Sequence, residues 1–351
     1  MPNQIQMLYI PDTMANWPWP RKTNSFHEQV AQESNVWIHG FKAFTERSQQ
    51  AMDKCDFCLL AALTYVEANR DHFRIACDLT NFFFVIDEYT DVESAPVVHQ
   101  MIDIVIDALN NPHKPRPQGE VVLGEMARQF WSLAIKTATP TSRKHFLRSF
   151  TDYLNSIAEQ AADRDNNYIR TIEEYLVFRR ENIGARPSFA AGELHLNLPD
   201  HVFDHPVLKE LQYYSADLII LDNDIASYNK EQATGDDLHN ILTIAMHQFQ
   251  TDYDGAIAWV SQYHQDVQTK FLQKLKMVPS FGPEIDEKLW EFINHVANCP
   301  RGNYSWNFES GRYFGKKGME IMESRYVALL PKLEHDRSLK REQVVVPLID
   351  A

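Results

Sequence analysis

Leu218-Ile-Ile-Leu-Asp-Asn-Asp-Ile-Ala-Ser-Tyr-Asn-Lys-Glu231 begins with four apolar residues and then spaces Asn223, Ser227 and Glu231 four apart. In an α-helix, positions i, i+4 and i+8 fall along one face. An amide oxygen, a hydroxyl and a carboxylate therefore point the same way, and all three are hard oxygen donors of the kind magnesium prefers. The competing reading is a solvated polar face that ends in Glu231. Asn, Ser and Glu are a poor solvent-facing set beside Lys–Glu pairs, whereas together they suit a metal. Lys230, immediately before Glu231, can reach an anion held by that metal.

Proline placement extends the helical reading outward. No proline interrupts the intervals Pro20–Pro96, Pro140–Pro187, Pro206–Pro279 or Pro300–Pro331, as long helices require. Within them apolar residues recur at threes and fours, as in Trp37, Phe41 and Phe44, or Leu59, Leu60, Leu63 and Val66. Breaks fall at 110–119, at Leu198-Pro-Asp200 and at 279–283. Strand-like alternation is scarce, and the clearest β-branched run, Val344-Val-Val346, lies in the charged tail. The pattern predicts an all-α fold of ten or more helices in one domain over 1–351. The segments 1–25 and 333–351 read as extended or mobile.

Composition narrows the function. A formal charge of −14 excludes nucleic acid as partner, since phosphate backbones need a basic face, and it disfavours anionic lipid. An apolar fraction of 44 % suffices for a substantial core. No apolar run approaches the roughly 18 residues that span a bilayer. The first residues lack the basic and then apolar blocks of a signal peptide, so the expected setting is the cytoplasm. Four cysteines in 351 residues make no disulfide framework, and the isolated Cys55-x-x-Cys58 has no second pair.

Three further constellations carry chemistry. An apolar run through Phe73, Phe82, Phe83, Phe84 and Ile86 ends in Asp87-Glu-Tyr-Thr-Asp91. Asp87 and Asp91 share a face, and Glu88 is turned away by about 100°. Carboxylates at a helix C-terminus oppose the macrodipole unless a cation compensates; a solvated acidic helix end is the alternative. Arg312 and Tyr313 are adjacent donors suited to a phosphate oxygen. Trp306 and Tyr313, at i and i+7, are expected on one face, with aromatic packing and a Glu309–Arg312 ion pair as the plainer account. Finally, Arg179-Arg-Glu-Asn-Ile-Gly184 suggests a helix that breaks just past a cationic contact and leaves carbonyls free. A surface salt bridge is its alternative.

Taken together, Asp87-Glu-x-x-Asp91, Asn223-Asp-x-x-Ser227-x-x-x-Glu231 and Arg312-Tyr313 resemble class I terpene cyclases, and among them the fungal sesquiterpene synthases. The resemblance runs from Trp17 to about Leu330, and the triplet with its following Arg-Tyr pair is its most specific part. It implies an all-α class I terpenoid synthase bundle around an apolar cavity. Asp87 and the set Asn223, Ser227 and Glu231 are then magnesium ligands, with Asp91 a weaker one; three Mg2+ ions accompany the bound diphosphate. Arg179 becomes the diphosphate sensor, with Arg180 as the alternative, and Lys230, Arg312 and Tyr313 grip the diphosphate. Asn182 and Ile183 take the linker and effector positions. Glu88 departs from the commonest form, where a second aspartate stands.

The implied substrate is farnesyl diphosphate, ionised and cyclised to a hydrocarbon with release of diphosphate. The Asp-Glu-Tyr-Thr-Asp and Ser-Gly-Arg-Tyr-Phe segments look most like the 1,11-cyclising, protoilludene-type branch. Asp87 and Glu231, with reference pKa values near 4, are expected ionised at neutral pH, and Phe83, Phe84 and Trp306 to present ring faces to the pocket. A trans-prenyltransferase would carry two aspartate-rich clusters. A non-catalytic helical ligand-binding protein would leave the acidic clusters as solvated ends. The absence of any Glu-x-x-His pair argues against a di-iron bundle. A monomer and a homodimer fit equally.

Overall fold

The computed structural model describes residues 6–333. Its helices are α1 (His27–Gly40), α2 (Glu46–Asp53), α3 (Phe57–Thr64), α4 (Arg70–Thr90), α5 (Ala95–Asn110), α6 (Leu123–Ala134), α7 (Pro140–Asn166) and α8 (Ile172–Asn182). There follow α9 (Ala185–Gly192), α10 (Asp200–Phe203), α11 (Pro206–Thr234), α12 (Ile241–Phe249), α13 (Tyr253–Leu275), α14 (Pro283–Glu309) and α15 (Gly318–Ser324). Two short strands, β1 (Met7–Tyr9) and β2 (Tyr326–Ala328), pair antiparallel with Leu8 opposite Val327.

Local chemistry sets the helix ends. Pro140, Pro206 and Pro283 each occupy a first helical position, where the missing N–H costs nothing. Thr171 and Glu174 form a reciprocal capping box at the start of α8. Gly235, at φ 76°, closes α11 in the left-handed conformation. The expected breaks near 110–119 and 279–283 are loops. Pro300 is different: it stands inside α14, which continues unbroken to Glu309.

Helix α11 is buried on most of its circumference, as an interior helix must be. It packs against α13 and α14, and α14 packs in turn on α3. That last contact needs Gly302, where a Cβ would meet the Leu63 carbonyl oxygen at 2.6 Å. The short α9 touches α4, α7, α8, α11 and α14 and so plugs the middle of the bundle.

The N-terminal segment forms β1, a turn over 13–16 and a bend at 18–19, and from residue 6 onward it is held in place. Met14 and Trp17 are buried, the Trp17 indole donates to Ala297 O at 2.9 Å, and Arg301 donates to Met14 O at 2.6 Å. Trp17 and Trp19 both pack on Phe271. Of the expected mobile tail, Leu333 alone is described, and its N–H reaches Ala233 O at 2.8 Å. Residues 334–351, including Val344–Val346, lie outside the described residues.

Candidate active site

A cavity of about 360 Å³ opens between α3, α4, α7, α8, α9, α11 and α14. Its apolar wall includes Leu60, Phe83, Phe84, Ile183, Phe189 and Ile219. Its polar rim carries Asp87, Glu88 and Asp91 at the end of α4, and Asn223, Ser227, Lys230 and Glu231 along α11. Arg179, Asn182, Trp306, Arg312 and Tyr313 also line it. Every residue singled out from the sequence therefore faces one cavity, except Arg180.

The rim is knitted by two residues adjacent in the chain. Arg312 lies 3.6 Å from Asp87 and 3.6 Å from Glu88 on α4, while the Tyr313 hydroxyl accepts from Asn223 of α11 at 2.9 Å. Glu88, expected to turn away, thus shares the guanidinium with Asp87. The Glu309–Arg312 pair of the plainer alternative does not form; Glu309 pairs with Arg21 at 2.6 Å. Nor do Trp306 and Tyr313 share a helical face, because α14 stops at Glu309 and Ser310 is extended. Their rings still meet edge to face at 5.8 Å. Arg312 sits 4.7 Å above the Phe84 ring, which stacks on Phe57 at 3.8 Å. The Trp306 indole donates to Cys55 O at 2.8 Å. Phe83 instead meets Tyr153 edge on at 5.0 Å. Asp91 faces Arg164 at 3.5 Å.

The two neighbouring arginines of α8 part company. Arg180 forms a two-pronged pair with buried Asp217, at 2.6 and 2.8 Å. Arg179 lines the cavity, donating to Asn182 and, at 3.4 Å, to Asn223. Asn182 in turn donates to Gln160 at 3.0 Å. After Asn182 the chain breaks at Gly184, whose φ of 76° no branched residue tolerates. The break does not leave the Gly184 carbonyl free: it accepts from the N–H and the hydroxyl of Ser188.

Electrostatics set buried guanidinium groups beside carboxylates. The Nε atoms of Arg179 and Arg312 are buried without a hydrogen-bond partner among the described residues, a cost folded proteins seldom accept without a ligand. Burial alone would lower both guanidinium pKa values. For Arg179 the surrounding Tyr175, Asp224, Glu231 and Asp87 outweigh it, and for Arg312 Tyr313, Glu88 and Asp87 do so, and both are raised. Lys230 is lowered, first by the charge of Arg312 and then by burial. Glu231 departs from expectation: burial, with Asp224 adding to it, pushes its carboxyl up to about 7. A cation held beside it would favour the ionised carboxylate. No three His, Cys, Asp or Glu side chains converge as a metal cage among the described residues; the oxygen set on α11 instead combines one carboxylate with an amide and a hydroxyl. Hard donors of that mix fit magnesium.

Asn240 went unnoticed in the sequence, and Asp224 stood inside the Asn223-Asp-x-x-Ser227 motif without a role of its own. Asn240, fully buried, donates to Glu231 at 2.9 Å. Asp224 accepts from Tyr175 of α8 at 2.7 Å and from the N–H of Ile241 at 2.8 Å, and burial pushes it up to about 6. An Asn directly before the apolar run Ile241-Leu-Thr-Ile is a helix-start signal; Tyr153 carried none.

The family model described as terpene synthase family 2, C-terminal metal binding, matches residues 78–270. The chain belongs to the terpene synthase family. It is similar to "Sesquiterpene synthase 14" of Postia placenta, 62 % identical over 350 residues covering 100 % of both chains. It is also similar to "Delta(6)-protoilludene synthase 18" of the same organism, 54 % identical over 346 residues covering 99 % of each. Among solved structures, hedycaryol synthase in complex with nerolidol superposes with a TM-score of 0.73 over 85 % of this chain and 99 % of that one, at 20 % identity, which speaks to the fold. The synthase is thus a class I terpene cyclase of a metal-binding family, acting on a prenyl diphosphate, and the readings as a prenyltransferase or as a non-catalytic scaffold fall away. No helix among the described residues is long and apolar enough to cross a membrane.

Proposed function

We propose that this synthase ionises farnesyl diphosphate in a magnesium-dependent reaction and closes the chain to a sesquiterpene hydrocarbon by 1,11-cyclisation, giving a protoilludene-type product and free diphosphate. One observation carries it: Arg312 and Tyr313 join the Asp87 end of α4 to the Asn223 face of α11 above an apolar cavity. Relatives named for protoilludene support the product class.

In this reading Asp87, Asn223, Ser227 and Glu231, with Asp91 as a weaker ligand, hold three Mg2+ ions together with the diphosphate. Magnesium supplies Lewis-acid neutralisation of the diphosphate oxygens. Arg179 and Arg312 turn their unsatisfied Nε–H groups, and Lys230 and Tyr313 their own donors, toward the same anion. The carbon–oxygen bond breaks heterolytically, and its electron pair leaves with the diphosphate; the distal double bond supplies the electron pair that closes the ring, and the final cation becomes a neutral hydrocarbon by losing a proton to the released diphosphate. The allylic cation then lies among Phe83, Ile183 and Trp306; the ring faces of Phe83 and Trp306 stabilise it by about 0.5–2 kcal/mol each, and Ile183 shapes the apolar wall. Phe84 is committed to Arg312 and Phe57 and acts by holding the guanidinium. Burial of the apolar wall excludes water that would quench the cation. The enzyme works in the cytoplasm as a monomer or homodimer.

Incubating purified protein with farnesyl diphosphate and magnesium, with mass spectrometry of the headspace, tests this. A cyclic C15 hydrocarbon is expected, lost with EDTA and in Asp87→Ala and Glu231→Ala. Linear alcohols alone, or activity retained in both variants, would refute it.

A further inference from the structure

Glu231 and Ser227 line the cavity, and a metal site needs such side chains fixed to within about half an ångström. The structure supplies the constraint from outside the cation-facing stretch. Asn240 is fully buried at the start of α12. Its Nδ2 donates to Glu231 Oε2 at 2.9 Å, to the Asp224 carbonyl oxygen at 2.9 Å and lies 3.4 Å from the Ser227 hydroxyl. Its Oδ1 accepts from the N–H of Leu242 at 2.9 Å and so caps α12. One amide thus grips two residues of the Asn–Ser–Glu set and the backbone between them.

The grip is itself anchored. Asp224 accepts from the Ile241 N–H, which locks the start of α12 onto α11, and from the hydroxyl of Tyr175 on α8. That hydroxyl also lies 3.1 Å from the His239 carbonyl oxygen. Asn240 cannot drift without breaking contacts to α8, α11 and α12 together.

We infer that Asn240 is a positioning residue of the cation site: its amide orients the Glu231 carboxylate and the Ser227 hydroxyl so that both present oxygen to one divalent ion. The inference rests on the proposed role of Glu231. Groups that orient metal ligands change metal affinity by about 10–100-fold when removed, and that is the expected effect here.

Asn240→Ser keeps an oxygen to cap α12 but no longer reaches Glu231, and Asn240→Asp keeps size and cap while replacing the donor with a repelling oxygen. Magnesium binding in the presence of inorganic diphosphate, followed by calorimetry on the full chain, is expected to weaken 10–100-fold in the serine variant and more in the aspartate variant. The magnesium concentration for half-maximal turnover should rise by the same factor, and excess magnesium should restore most of the turnover. In a Glu231→Gln background, Asn240→Ser should add less than a twofold further loss, because its target is gone. Wild-type binding in both Asn240 variants overturns the inference, as does an independent loss in the double variant or failure of both to fold. Wild-type binding by Glu231→Gln alone would sink the proposed metal reading itself and the inference with it.

Discussion

Glutamine in place of Arg180, and separately of Arg179, should split stability from catalysis between two adjacent residues. Arg180 holds Asp217 through two hydrogen bonds of 2.6 and 2.8 Å, and Asp217 is 1 % exposed. Truncating one partner of a buried pair costs about 3–5 kcal/mol, because the other charge is left without compensation. Two features favour the lower end. The Arg180 side chain is 24 % exposed, and burial already raises the Asp217 pKa despite its partner, so protonation relieves part of the loss. At about 2.1 cal/mol/K per residue, the unfolding entropy of a 351-residue chain is about 0.7 kcal/mol/K, and a loss of about 3 kcal/mol lowers Tm by about 4 °C. Turnover measured well below Tm should stay within a few-fold of wild type. Arg179 presents the opposite case. Its side-chain partners are the neutral amides of Asn182 and Asn223, so Arg179→Gln should keep Tm within about 2 °C. Loss of the charge-assisted bond from its free Nε–H to the leaving anion, at about 1.5–3 kcal/mol, should cut turnover about 10–100-fold. The stabilisation of wild type by magnesium plus diphosphate in a thermal melt should largely vanish in Arg179→Gln and persist in Arg180→Gln. If the variants exchanged behaviours, the assignment of the diphosphate contact to Arg179 would be wrong.

Other perturbations follow from single contacts. Glu231 is raised to about 7 in the metal-free fold from about 4.5 unfolded, so the fold binds the proton more tightly; that stability is complete below 4.5 and lost as pH rises through 7. Discounted for its place at the rim, it amounts to about 2 kcal/mol. In EDTA, the Tm of Glu231→Gln should therefore gain about 3 °C on wild type between pH 5 and pH 8; parallel curves would refute the raised carboxyl. Gly302→Ala places a methyl 2.6 Å from the Leu63 carbonyl oxygen and from Thr64 Cγ2. Backbone must shift, at about 1–3 kcal/mol, and a Tm equal to wild type would show that α3 and α14 are not so closely apposed. Trp306→Leu removes the indole bond to Cys55 O and the ring beside Phe84 and Tyr313, so the hydrocarbon profile by gas chromatography should change; an unchanged profile would remove that ring from the pocket.

How much of this could be read from the sequence depends on the range of the interaction. The i, i+4, i+8 spacing of Asn223, Ser227 and Glu231 is a local property of a helix, and the proline-free interval Pro206–Pro279 that announced it holds α11, α12 and α13. The Gly184 break was legible for the same reason, since a positive φ is written in one residue. Pro300 misled because the rule is statistical: where packing on α3 and α11 dominates, a helix continues through its proline. Trp17-Pro-Trp-Pro read as extended or mobile; it bends at 18–19 and is docked on partners some 280 positions away, which no local pattern shows. The divergence of Arg179 and Arg180 was beyond spacing altogether. Adjacent helix residues diverge by about 100°, and whether that sends one to Asp217 and the other to the cavity depends on how α8 is rotated against α11.

That rotation also explains how a chain of net charge −14 can serve an anionic substrate. Across the surface, many arginines are consumed locally: Arg116 by Asp107 and Glu120, Arg170 by Glu159 and Asp163, Arg180 by Asp217. At the rim the arrangement differs. Arg312 stands 3.6 Å from each of two carboxylates, too far for a hydrogen bond, and one guanidinium nitrogen of both Arg179 and Arg312 is left without a partner. These cations are compensated at a distance by carboxylates that a divalent ion would occupy. Bringing in that ion draws Asp87 and Glu231 toward it and leaves the guanidinium groups short of anionic contacts. The diphosphate supplies them. Metal and anion binding should accordingly be cooperative, each tightening the other by the same factor, and titrating magnesium at increasing diphosphate would show a constant affinity if the two charge sets were independent.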